Sequence, residues 1–77
     1  MYKSFTFGKR LKMARVEKDL SQRELAKLIG CTQASLCDYE NDKMKPRLLL
    51  LKKIAHILKK SFNYFLVTNQ IVVTFVS

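Results

Sequence analysis

The side chains with chemistry to offer gather in one short stretch. Thr32, Gln33, Ser35 and Asp38 set hydroxyls, an amide and a carboxylate close together, with the small Ala34 among them. At the start of a helix such groups reach outward and exchange hydrogen bonds with a partner. They do not assemble a catalytic site. His56 is the only histidine, and the chain offers no carboxylate pair and no nucleophile beside a base. An enzyme is therefore not expected. Metal binding is equally poorly served. Cys31, Cys37 and one histidine fall short of the four ligands of a structural zinc site. No metal, cofactor or small-molecule ligand is expected, and the two thiols are expected to be free in a reducing compartment.

Charge narrows the class of partner. Lys and Arg number 15 against 6 Asp and Glu, a net charge of +9. Solubility alone needs only a small excess of either sign. An excess this large favours a polyanion, either nucleic acid through counterion release or an acidic lipid surface. Every charged residue lies between Lys3 and Lys60, so a basic body precedes a neutral, apolar tail. The apolar runs are too short or too interrupted for a bilayer, which needs about 20 such residues. The first ten residues lack the apolar core of a secretory signal. No membrane partner is expected, and the expected location is the cytoplasm. Seventy-seven residues, 48% of them hydrophobic, make one small domain with a compact core.

The elements that must position these groups read as short helices. The first spans roughly Thr6 to Lys18, with Thr6 as N-cap and Phe7, Leu11 and Ala14 at helical spacing. Ser21 with Glu24 three residues on forms a capping box for the second. Its apolar stripe is Leu25, Leu28 and Ile29, and Gly30 supplies the left-handed stop. Thr32 caps the third helix, with Leu36 and Tyr39 turned inward and Cys37 beside them. Asn41 and Asp42 end it, being tolerant of positive φ. Pro46 is expected to open the fourth helix, which runs to about Lys60 with Leu48, Leu51, Ile54, Ala55 and Leu58 inward. Ser61 caps a fifth, Phe62 to Leu66. Gln70 to Val76 is β-branched and reads as a strand.

Two short helices joined by Gly30 and Cys31 in a basic helical domain are the mark of a helix-turn-helix. In that motif the second helix enters the major groove with its N-terminal residues facing base edges. The run Leu20-Ser21-Gln22-Arg23-Glu24-Leu25-Ala26, then Ile29-Gly30-Cys31-Thr32-Gln33, Leu36, Tyr39-Glu40, Pro46, Leu51, Ile54-Ala55 and Leu58 resembles the Cro/cI-type (Xre) family of phage repressors and bacterial regulators. The resemblance covers about Phe7 to Leu66. It implies an all-α, five-helix, lambda-repressor-like DNA-binding domain over residues 1–66, followed by a C-terminal β-strand tail over 67–77.

The resemblance also implies roles. Gln33, Ala34 and Asp38 match base-reading positions. A glutamine can pair bidentately with adenine N6 and N7, a small apolar group can meet a thymine methyl, and a carboxylate can accept from cytosine N4. Gln22 matches a residue that touches a phosphate and braces the reading helix. Arg23, Lys43, Lys45 and Arg47 match backbone-clamping positions, and Thr32 and Ser35 are placed to donate to phosphates. Arg15 and Glu40 match an internal salt bridge. Two departures stand out. Asp42 occupies a position that is often glycine, and Lys60 one that is usually aliphatic.

Binding as a two-fold dimer on double-stranded DNA is expected, because one reading helix covers few base pairs. Four consecutive leucines, Leu48 to Leu51, cannot all face one core. Leu49 and Leu50, with Phe62, are candidates for an isologous patch. Ile71, Val73 and Phe75 fall on one face of the tail strand, and pairing with a twin would cover an edge prone to aggregation. The expected function is sequence-specific transcriptional regulation, as a repressor or autoregulator. The alternatives are an antitoxin, a restriction-modification controller, or a protein-interaction module on the same scaffold.

Overall fold

Local capping decides where most of the helices begin, and the computed structural model, which describes residues 6–65, follows those signals at every start but that of the fourth helix. Helix α1 (Phe7–Glu17) starts at Thr6, whose hydroxyl accepts from the Lys9 amide. Helix α2 (Gln22–Ile29) carries the reciprocal Ser21–Glu24 capping box and stops at Gly30, φ 79°. Helix α3 (Gln33–Glu40) begins at Thr32, whose hydroxyl accepts from the Ser35 amide. Helix α4 (Leu48–Leu58) and the short α5 (Phe62–Phe65) complete the described chain. Each side-chain cap satisfies a donor that the helix itself cannot, worth about 1 kcal/mol.

The start of α4 differs from expectation. Pro46 does not open the helix; Arg47 is its N-cap, with extended ψ of 161° and no side-chain cap bond. The chain stays extended for one residue beyond the proline, so the first turn begins at Leu48. The helix also ends before Lys60, because Lys59 turns left-handed at φ 57°.

The five helices close around one core. Phe7, Leu11 and Ala14 of α1, Leu25, Ala26 and Ile29 of α2, and Leu36 of α3 meet Leu51, Ile54, Ala55 and Leu58 of α4 and Phe65 of α5. Helix α1 packs on α3 and α5, and α2 packs on α3 and α4. The Phe7 and Phe65 rings sit 5.9 Å apart, joining the first helix to the last. Two residues expected inward lie out. Leu28 is 51% exposed and Leu48 58%. In α2, Ala26 takes the inward place beside Leu25 and Ile29. In α4 the first inward leucine is Leu51, because Leu48 belongs to the opening turn and lines an open groove.

Among the described residues all regular structure is helical. Leu66 and the expected tail strand Gln70 to Val76, with the dimer candidates Ile71, Val73 and Phe75, lie outside the described residues. No described helix is long and apolar enough to cross a membrane.

Candidate nucleic-acid interface

Helix α3 is two-sided. Leu36 and Glu40, four residues apart, are buried, and the half-buried Tyr39 packs against the core. On the other side Thr32, Gln33 and Ala34 are exposed, while Ser35, Cys37 and Asp38 are half-buried. Spacing of four stacks Gln33 over Cys37 and Ala34 over Asp38, so one outer face carries the amide, the methyl and the carboxylate. The helix thus turns its first turn outward while its inner residues fix its rotation.

That rotation is held by a polar cluster beneath the helix. The Arg15 Nε donates to Glu40 Oε2 at 2.6 Å, and its Nη2 donates to Oε1 at 3.2 Å. The Arg15 Nη1 donates to the Leu20 carbonyl at 2.8 Å. Gln22 Nε2 donates to Glu40 Oε1 at 3.0 Å. The carboxylate of one α3 residue therefore ties α3 to α1 and to the start of α2. Arg15 and Glu40 are both buried. In a site this dry a charged pair holds only because its geometry is good and its remaining donors are satisfied.

The candidate phosphate contacts fall into two groups. Gln22 is half-buried with its amide already on Glu40, whereas the next residue, Arg23, is exposed. Arg23 and Gln33 share one shallow depression with Lys27 and Cys31. Lys43, Lys45 and Arg47 are exposed on the loop between α3 and α4. The capping hydroxyls are partly spent. Thr32 Oγ1 accepts from the Ser35 amide and donates to Ser35 Oγ at 3.0 Å, so its own proton is spent on Ser35. Burial pushes the Cys31 thiol above its ordinary pKa. Among the described residues no three His, Cys, Asp or Glu gather as metal ligands.

Three devices escaped sequence reasoning. Gly8 is buried where α1 meets the end of α3, and a Cβ there would collide with the Glu40 carbonyl oxygen. Asp42, at φ 61°, accepts from Thr6 Oγ1 at 2.6 Å and from the Gly8 amide at 2.9 Å. Lys60 pairs with Glu17 at 2.8 Å and lies 4.8 Å over the Tyr64 ring. The only advance signal was that Asp42 and Lys60 depart from the residue types usual at their positions.

The candidate dimer residues divide. Leu49 is 79% exposed and Leu50 half-buried, and both line an open groove with Ile29, Tyr39, Arg47, Leu48 and Lys53. Phe62 is half-buried on α5, outside that groove.

Comparison with known proteins gives consistent likenesses. The family model described as Helix-turn-helix (HTH_3) matches residues 11–65. The chain is 38% identical over 60 residues to the SPbeta prophage-derived transcriptional regulator YonR of Bacillus subtilis, covering 78% of this chain and 56% of that protein. It is similar to the biofilm master regulator SinR, solved in complex with DNA, at 30% identity and TM-score 0.75 over 80% of this chain and 100% of that one. It shares its fold with the P22 c2 repressor, solved on a synthetic operator, at 21% identity and TM-score 0.77 over 80% and 94% of the two chains.

Proposed function

The chain belongs to the helix-turn-helix family, and from that premise we propose that it is a sequence-specific regulator of transcription that binds duplex DNA. The observation that carries this reading is the outward face of α3. Gln33 and Ala34 stand exposed in its first turn, with Arg23 on one side and the Lys43–Arg47 loop following its other end. The helix is narrow enough for the major groove, and its polar first turn would meet base edges. Gln33 is assigned to adenine, Ala34 to a thymine methyl, and Asp38 to cytosine N4. Arg23, Lys43, Lys45 and Arg47 would clamp phosphates, joined by Ser35 and, through the α2 start, Gln22. The likeness to SinR, whose structure holds DNA, supports the same docking.

The protein acts as a two-fold dimer on half-sites one helical turn apart, about 34–36 Å. Leu49 and Leu50, which line the open groove, are assigned to the contact. Repression or autoregulation follows from occupying a promoter, with control through the protein's own concentration or a partner.

Fluorescence anisotropy tests the reading. Duplexes from upstream of the protein's own gene are compared with scrambled duplexes across a salt series, for the native chain and Gln33→Ala. One upstream fragment should bind well above its scramble. Gln33→Ala should lose about 1–3 kcal/mol of that preference while keeping the salt slope. Equal binding of all duplexes would reject sequence specificity, and no binding at low salt would reject DNA as the partner.

A further inference from the structure

The loop that carries Lys43, Lys45 and Arg47 has little of its own to hold it. Residues 41–45 are all exposed and only Pro46 is half-buried. Its first half folds back on α3 through backbone bonds, with the Lys43 amide donating to the Asp38 carbonyl at 2.9 Å and the Asp42 amide to Tyr39 at 3.2 Å. Asn41 Nδ2 also donates to Cys37 Sγ at 3.4 Å, back on α3, and the side-chain anchor that reaches beyond α3 is Asp42. It adopts the left-handed conformation that glycine takes without strain, yet it brings a carboxylate. Both oxygens are used: Oδ2 accepts from Thr6 and Oδ1 from the Gly8 amide, across the junction where α1 rests on α3. The Gly8 amide belongs to the first turn of α1, so it has no partner within the helix. Asp42 supplies one.

We propose that Asp42 is a positioning residue for DNA binding, tying the basic loop to the first turn of α1 so that Lys43 and Lys45 meet phosphates from a pre-ordered backbone. This rests on the DNA-binding reading and adds to it a residue that touches no DNA. Ordering a loop before contact removes part of the entropy lost on binding. Phosphate contacts carry no sequence information, so the tie acts on every duplex alike.

Electrostatics alone predicts the opposite outcome, and that separates the two explanations. Asp42 is a negative charge beside a cationic loop facing a polyanion, so deleting it should tighten binding if charge is all that matters. Asp42→Gly and Asp42→Asn carry the same net charge. Asparagine keeps an acceptor oxygen and tolerates positive φ, whereas glycine keeps the conformation and loses the tie.

The experiment measures anisotropy of both variants on a specific and a scrambled duplex, with a thermal melt of each protein. Asp42→Gly is expected to bind both duplexes about fivefold more weakly than Asp42→Asn, with the ratio between duplexes unchanged. In a Lys43→Gln, Lys45→Gln background that difference should shrink below about twofold, which a general loss of stability would not produce. Thr6→Val cuts one arm of the tie without altering charge but also removes the α1 cap bond to the Lys9 amide, so it is read beside its own thermal melt; it should weaken binding in the same direction and serves as a second route if Asp42→Gly fails to fold. Equal affinity of the glycine and asparagine variants, or a difference that persists in the Lys43→Gln, Lys45→Gln background, overturns the positioning role. If the native chain binds no duplex at low salt, the DNA reading itself falls, and the proposal with it.

Discussion

Glu40 accepts three hydrogen bonds from two residues that belong to two other parts of the chain. Removing one partner of such a pair leaves the other charge buried and alone, which costs about 3–5 kcal/mol. Glu40→Ala, with Arg15 only 8% exposed, is therefore expected to lower unfolding free energy in urea by an amount in that range. Gln22→Ala removes a single neutral donor to the same carboxylate and should cost about 0.5–3 kcal/mol, less than the charge deletion. Cys31 gives a pH-dependent outcome. Its thiol is raised by burial, so less thiolate is present near pH 8 than on a free cysteine. Labelling of Cys31 by a thiol reagent, followed by mass spectrometry in a Cys37→Ser protein, should be slow at pH 8 and accelerate at a higher pH than free cysteine does.

At the scale of elements, α1 and α3 approach so closely that no side chain fits between them at Gly8. Gly8 permits it: a methyl group there would press on the carbonyls of Tyr39 and Glu40, which are backbone and cannot swing aside. Gly8→Ala would ordinarily favour a helix by about 1 kcal/mol. Here it is expected to destabilise, by about 1–3 kcal/mol for overpacking, and a thermal melt reads the sign directly. The same substitution would push α1 away from Asp42 and loosen the loop beyond it. The capping box at Ser21 works locally instead. Its bonds lie within four residues, and so it is legible from spacing alone.

For the whole molecule, the surface feature to account for is the leucine run. Leu51 is in the core, Leu50 is half-buried, and Leu48 and Leu49 are turned out. A large apolar side chain that is 79% exposed contributes little to a monomer, so Leu49→Gln should change stability by no more than about 0.5 kcal/mol. If the groove is the dimer contact, the same variant sediments as a monomer at concentrations where the native chain is a dimer. A chain truncated after Phe65 supplies the complementary test, since retained dimerisation would place the contact on the helices rather than on residues 66–77. The Lys60 pairing with Glu17 contributes little to either result, because Glu17 is exposed and its attraction to Lys60 is screened by water.

The existence of five helices, the caps at Thr6, Ser21, Thr32 and Ser61, the turn at Gly30 and the outward first turn of α3 were legible in the sequence, because each is set by bonds and periodicities that reach no further than four residues. Leu36 and Tyr39, three residues apart, fall on one face of α3, and the 3.6-residue repeat says so without coordinates. Other outcomes needed the folded chain. Which leucine of four enters the core depends on where α4 begins, and that was settled by an extended Arg47 rather than by Pro46. The need for glycine at position 8 comes from carbonyls 31 and 32 residues further along the chain, at Tyr39 and Glu40. The use of Asp42 comes from donors 36 and 34 residues back, Thr6 and Gly8. Sequence periodicity reports which face of an element is apolar; it does not report what lies across from that face. Close approach and long-range hydrogen bonds depend on two surfaces at once, and only the tertiary structure brings the second one into place.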